Sequence, residues 1–308
     1  AFPWAAGVDV FFVISGFVMV HASRGLFGRE GAPRLFLARR IARIVPIYWA
    51  VTTLYLALAL AVPALLNSEV LDPFFVLASY LFYPVARPDG SVQPLYSLGW
   101  TLNYEMAFYA LFACFVPFAR RGAVLGLTAL LAGLALAGHL LPLPLPLAFW
   151  TNPIILEFAF GLLLGLARAE GFRLGKGLRL GLAAAGLALL ALDATRPDAP
   201  LLLPRFLAHG GPAALLVAAA ALGESRSGGG AGWRLGEALG DASYALYLVH
   251  PFAIRALREV VWRSGLVPVI GPWGYVAACL VVSTAAALAV HALFERPVTA
   301  WARRLLRA

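Results

Sequence analysis

Ser97–Ala119 reads SLGWTLNYEMAFYALFACFVPFA. A bilayer-crossing helix needs about 20 mostly apolar residues, and this stretch meets that requirement with one carboxylate, Glu105, near its middle. Such a charge costs roughly 2.5–3.5 kcal/mol on insertion. A chain keeps that cost for a partner, a water-filled cavity or a reaction. Counting from Ser97, the carboxylate lies roughly 12 Å along the helix axis, well inside a core about 30 Å thick.

The composition agrees with a membrane class. Hydrophobic residues make up 62% of the 308 and charged residues 13%, with a mean hydropathy of +0.84; a soluble domain carries about 25% charged residues. The net charge of +9 does not mark a nucleic-acid binder, because the basic residues sit in short connections between apolar spans. Cys114 and Cys279 both lie in apolar stretches, so no disulfide framework follows.

Nine apolar segments are candidate spans: 7–23, 44–66, 97–119, 122–141, 151–167, 178–193, 205–223, 241–262 and 273–294. The predicted fold class is all-α, a polytopic transmembrane helix bundle, with residues 1–308 as a single integral membrane domain. Arg87, Arg196, Arg205, Arg255, Arg258 and Arg263 fall on one side of it, and the rest of the 24 Lys and Arg residues on the other. The richer side is expected to be cytoplasmic. Residues 74–86 are apolar but too short to span, and read as interfacial or re-entrant. PLPLPL (142–147) and TRPDAPLLLP (195–204) read as outer loops, and SRSGGGAG (225–232) as a flexible inner linker.

Three groups of residues are candidates for chemistry. Ser243, Tyr247 and His250 recur at i, i+4 and i+7 on one helix face. Pro251 follows His250 and should free the carbonyl of Tyr247, kinking the helix there. Arg40 and Arg43, one turn apart with Arg39 adjacent in the inner loop that leads into the 44–66 span, offer guanidinium forks suited to phosphate; contact with anionic lipid is the plainer reading of the same residues. In GVDVFFVISGF (7–17), Asp9 lies near the outer end of a span, and Ser15 and Gly16 permit close helix packing. His21, His139, His209 and His291 read as structural, without metal-ligand spacing.

Five strings in order resemble the acyltransferase-3 family of integral membrane O-acyltransferases, which includes bacterial polysaccharide acetylases: GVDVFFVISGF, RRIARIVPIYW, SLGWTLNYEMAFYALF, LGDASYALYLVHPF and FERP (294–297). The resemblance implies a multi-pass protein of the bacterial inner membrane. It implies transfer of an acyl group, commonly acetyl from acetyl-CoA, to a hydroxyl of an extracytoplasmic carbohydrate or lipid-linked acceptor. It places donor binding on Arg40 and Arg43, catalysis on Glu105 and His250, and substrate contact or support on Asp9, Trp100, Ser243, Tyr244 and Tyr247. The roles of Glu105 and His250 are interchangeable on the sequence. The family has a preceding helix with an arginine and a histidine regarded as catalytic; that helix would lie before Ala1, so about nine of about ten spans are expected here. The expected partners are the bilayer, acyl-CoA and the acceptor, with no metal and no nucleic acid.

Two other classes fit some of the same features. Intramembrane Glu and His also serve proton relays in transporters or flippases of glycan precursors, although such folds favour internal repeats, and none is visible. A membrane scaffold would use the buried polar groups only to specify packing.

Overall fold

The computed structural model describes residues 6–61, 72–194, 203–224 and 230–307. All regular structure among them is helical: α1 Ala6–Ala22, α2 Ala32–Ala61, α3 Pro73–Tyr80, α4 Trp100–Phe115, α5 Arg120–Leu140, α6 Leu145–Trp150, α7 Leu156–Ala169, α8 Lys176–Ala194, α9 Arg205–Ala208, α10 Gly210–Ala221, α11 Ala231–Asp241, α12 Ser243–Arg263, α13 Val267–Val290 and α14 Arg296–Leu305. Each of the nine apolar segments has helix at its centre. Among the described residues, four stretches are long and apolar enough to cross a membrane: Ala32–Ala61, Arg120–Leu140, Leu145–Ala169 and Pro268–Leu305. Ala6–Ala22 and Arg205–Ala221 are shorter apolar helices. The chain is an all-α polytopic membrane protein.

The chain divides into two compact units, residues 1–37 with 70–225, and residues 38–69 with 226–308. In the first, α1 lies backbone to backbone on α7. A Cβ at Gly16 would collide with the Phe158 carbonyl, one at Gly161 with the Val13 carbonyl, and one at Gly165 would come within 2.8 Å of Val20 Cβ. Aromatic rings fill the space beside this seam: Phe108 stacks on Phe158 at 4.4 Å, and Phe36 on Phe112 at 4.8 Å. Val13, Ala213 and Val217 are buried together, joining α1 to α10.

In the second unit, α12 packs along α13. Tyr244 donates to the Ile44 carbonyl at 3.0 Å, tying α12 to α2. Within α13, Gly271 takes φ 65° and ψ 174° and breaks the helix; only glycine adopts this conformation without a steric cost. A π-turn over His291–Glu295 leads into α14.

Some local expectations change. Arg39, Arg40 and Arg43 are not in a loop ahead of a span: α2 runs unbroken through them, with Pro46 inside it. Ala, Leu and Arg are strong helix formers, so the helix starts well before the apolar run. Pro46 removes a single hydrogen bond, the one to the Ala42 carbonyl. The PLPLPL segment is not wholly loop, because Pro144 and Pro146 open α6, where a missing N–H leaves no bond unmade. α3 is short and begins at Asp72, whose side chain accepts from Phe75 N at 2.9 Å, in keeping with a segment that does not span. Most of the 195–204 and 225–232 stretches lies outside the described residues.

Candidate active site

In the first unit the Glu105 carboxylate is buried on α4. Its Oε1 accepts from Ser15 Oγ of α1 at 3.3 Å and from the Tyr109 hydroxyl one turn along its own helix. Ser15 therefore does more than allow close packing: its hydroxyl orients the carboxylate. Trp100, at the start of α4, meets Phe12 edge to face at 6.3 Å and Tyr104 at 5.9 Å, so it supports the aromatic wall next to Glu105.

Asp9 is fully buried. Its oxygens accept from Arg205 Nε at 3.1 Å and Nη2 at 2.9 Å. This is the paired, two-pronged geometry that makes an arginine–carboxylate contact strong. Glu157 of α7 is equally buried, stands beside Asp9, and packs against Gly210, where a Cβ would come within 2.8 Å of Glu157 Cγ. His209, next in sequence to Gly210, pairs with Asp193 at 2.9 Å. Glu157 and Arg205 were not singled out by sequence reasoning. A carboxylate inside an apolar span was the available signal for Glu157, the same one that marked Glu105.

In the second unit the Tyr247 carbonyl, freed by Pro251, receives His250 Nδ1 at 2.9 Å; the Leu246 carbonyl lies at 3.0 Å from the same nitrogen. Both partners are acceptors, so Nδ1 carries a proton, and in the neutral ring Nε2 keeps its lone pair. The ring lines a cavity of about 470 Å³ together with Arg255 and Arg258. Tyr247 lies alongside, its ring centroid 6.4 Å from that of the imidazole. Tyr244 is a buried strut to α2. Ser243 is not drawn to the histidine: it is exposed, and its hydroxyl donates to the Gly240 carbonyl at 2.7 Å.

Arg40 and Arg43 are half-buried on α2. Arg303 of α14 lies near enough that the charges of Arg40, Arg43 and Arg39 all act on it. Like charges gathered at one place repel, and an anion among them relieves the repulsion. The two arginines predicted for donor binding thus belong to a larger basic cluster, and Arg303 is a member that sequence spacing could not reveal. His291, expected to be structural, pairs with the buried Glu295 of the FERP string at 2.8 Å. π-turns are frequent at functional sites.

Comparisons with known proteins bear on both units. A family model described as Acyltransferase domain matches residues 5–292. The exopolysaccharide production protein ExoZ of Rhizobium meliloti (strain 1021) is 37% identical over 299 residues, covering 96% of this chain and 89% of the relative. Acyltransferase MdmB of Streptomyces mycarofaciens is 28% identical over 277 residues, covering 80% of this chain and 67% of that protein. No solved structure matches. The sequence strings, the helical membrane fold and a family match running through both units lead to one conclusion: the chain belongs to the acyltransferase-3 family and is an acyltransferase of the O-acyl-transferring type.

Proposed function

We propose that the protein moves an acyl group, acetyl in the first instance, from acyl-CoA to a hydroxyl of an extracytoplasmic glycan or lipid-linked sugar, in the bacterial inner membrane. The printed name of the 37% identical relative, an exopolysaccharide production protein, supports a carbohydrate acceptor. The family match over 5–292 supports reading residues 1–308 as one acyltransferase domain, and favours covalent transfer over transport.

One observation carries the mechanism: His250 Nδ1 is committed to backbone carbonyls beside a cavity, which leaves Nε2 as a base. That nitrogen takes the proton of the acceptor hydroxyl as its oxygen attacks the thioester carbonyl. The tetrahedral adduct collapses, the carbon–sulfur bond breaks, and the thiolate of CoA leaves with the proton returned by the imidazolium. Such general acid–base help is worth about 10²–10⁴ in rate. Arg40, Arg43 and Arg303 hold the phosphates of the donor. Glu105, oriented by Ser15 and Tyr109, is the proposed catalytic carboxylate of the first unit.

The test begins with the donor. Arg40→Ala combined with Arg43→Ala is expected to weaken acetyl-CoA binding at least about tenfold, since each hydrogen bond between charged groups contributes about 1.5–3 kcal/mol. Thermal unfolding should change little. Binding to the parent protein should weaken with added salt, through screening. Unchanged affinity in the double variant would return both arginines to contact with anionic lipid.

A further inference from the structure

The cavity at His250 is not the only one on the second unit. A neighbouring cavity of about 330 Å³ shares Arg258 with it and is otherwise apolar and aromatic, walled by Val261, Trp262, Ile270 and Tyr275. Both volumes fall in the range of small-molecule sites, about 300–1,000 Å³. The break in α13 at Gly271 lies in the wall of this second cavity. Along α12 the linings of the two cavities follow one another: a histidine, then two arginines, then apolar and aromatic residues.

The charges along it are unbalanced. Among the described residues, Glu259 pairs with Arg258 at 3.2 Å and with Arg263 at 3.7 Å, while Arg255 has no carboxylate within ion-pair distance. Arg255 lines the first cavity, and its Nε is buried with no hydrogen-bond partner among the described residues. A buried, unpaired donor of this kind is costly, and an anionic ligand oxygen would satisfy it. Along the helix axis, Arg255 lies roughly 7.5 Å from His250 and Arg258 roughly 12 Å. That spacing separates a phosphate held by the arginines from a hydroxyl at the imidazole.

We propose that the two cavities form one site for a sugar phosphate carried on a long apolar chain: phosphate on Arg255 and Arg258, chain along Trp262 and Tyr275, sugar hydroxyl at His250. This rests on the acyltransferase reading, and narrows its acceptor to a phosphate-linked glycolipid. The apolar and aromatic lining beyond Arg258 favours a carrier lipid over a soluble sugar phosphate, and Arg258, which lines both cavities, favours the acceptor's carrier over ordinary bilayer lipid.

Binding measured without turnover tests it. Geranylgeranyl phosphate is titrated into the purified protein in neutral detergent, with geranylgeraniol, phosphatidylglycerol and inorganic phosphate as comparators. The expected result is saturable binding of geranylgeranyl phosphate at least about tenfold tighter than of the alcohol. Arg255→Gln with Arg258→Gln should abolish that preference, Arg255→Lys should keep most of it, and Trp262→Ala should weaken the phosphate and the alcohol alike. Equal binding of phosphate and alcohol overturns the proposal, as does a preference that survives the double variant. Phosphatidylglycerol competing equally would give the groove to bulk lipid, and inorganic phosphate binding as tightly would make it a free-anion site; either overturns the proposal too. A separate assay with acetyl-CoA and a lipid-linked sugar distinguishes the two readings: saturable, arginine-dependent binding of geranylgeranyl phosphate in a protein that transfers no acetyl group there would sink the enzymatic reading and leave the site standing.

Discussion

Pro251 leaves the Tyr247 carbonyl without its helical donor, and His250 Nδ1 takes it at 2.9 Å. The proline thus orients the ring and selects its tautomer. His250→Asn tests this, because the amide can still donate to the carbonyl but offers no base. We expect kcat to fall about 10²–10⁴-fold, with acetyl-CoA affinity kept; a kcat within about twofold of the parent would remove the histidine from proton transfer. Arg205 poses a different question. It provides the two hydrogen bonds to Asp9, whose side chain is wholly buried while that of Arg205 is 41% exposed. Arg205→Leu leaves a buried charge unpaired and should cost about 3–5 kcal/mol, read as a lowered unfolding temperature. Adding Asp9→Leu should recover most of the loss, and a single variant as stable as the parent would show that the pair is dispensable. Asp9 was legible as an oddity in an apolar span, but its partner was not. Arg205 lies 196 positions away, and a contact at that separation leaves no periodic trace in a sequence.

Hydropathy locates apolar runs, and each of the nine became helical at its centre because a backbone in lipid must satisfy its own hydrogen bonds. It does not locate helix starts, which is why the Arg39–Arg43 turn reads as a loop yet lies within the first half of α2. Packing is legible only in part. Ser15 and Gly16 marked one side of a close approach; the other side, Gly161 and Gly165, is a small-xxx-small pair on α7 that pattern reading passed over. In lipid such seams depend on van der Waals contact between close backbones. Gly161→Val would drive α7 away from the Val13 carbonyl. Overpacking of this kind costs about 1–3 kcal/mol or more, and the shift would also move Ser15 relative to Glu105. The expected outcome is a lower unfolding temperature together with reduced acyl transfer. Gly133→Val, where nothing lies within 4 Å of a built Cβ, should change neither. Equal behaviour of the two variants would mean that the α1–α7 seam has no special role.

Orientation across the membrane belongs to the whole chain. The basic residues are distributed unequally between the two ends of the spans, and the richer side should be cytoplasmic. That places the turn between α3 and α4 outside and the end of α14 inside. The parity of this assignment depends on α3. Were it a span, every later connection would change sides and the arginine-rich ends would face outward. Its eight residues reach only about 12 Å of a core about 30 Å thick, and the side-chain cap from Asp72 fixes where they begin. Arg87 holds the following turn by donating to the Gln93 carbonyl at 3.1 Å, and Asp89 accepts from Ser91 N at 2.8 Å at its exposed tip. A cysteine in place of Asp89 therefore reports on one side, and a cysteine in place of Arg304, in the last turn of α14, on the other. In a background with Cys114 and Cys279 replaced by alanine, a membrane-impermeant maleimide added to intact cells should label the Asp89→Cys protein. The Arg304→Cys protein should react only after lysis. The reverse pattern would overturn the orientation, and labelling of both positions in intact cells would show that α3, or another short helix, changes the count.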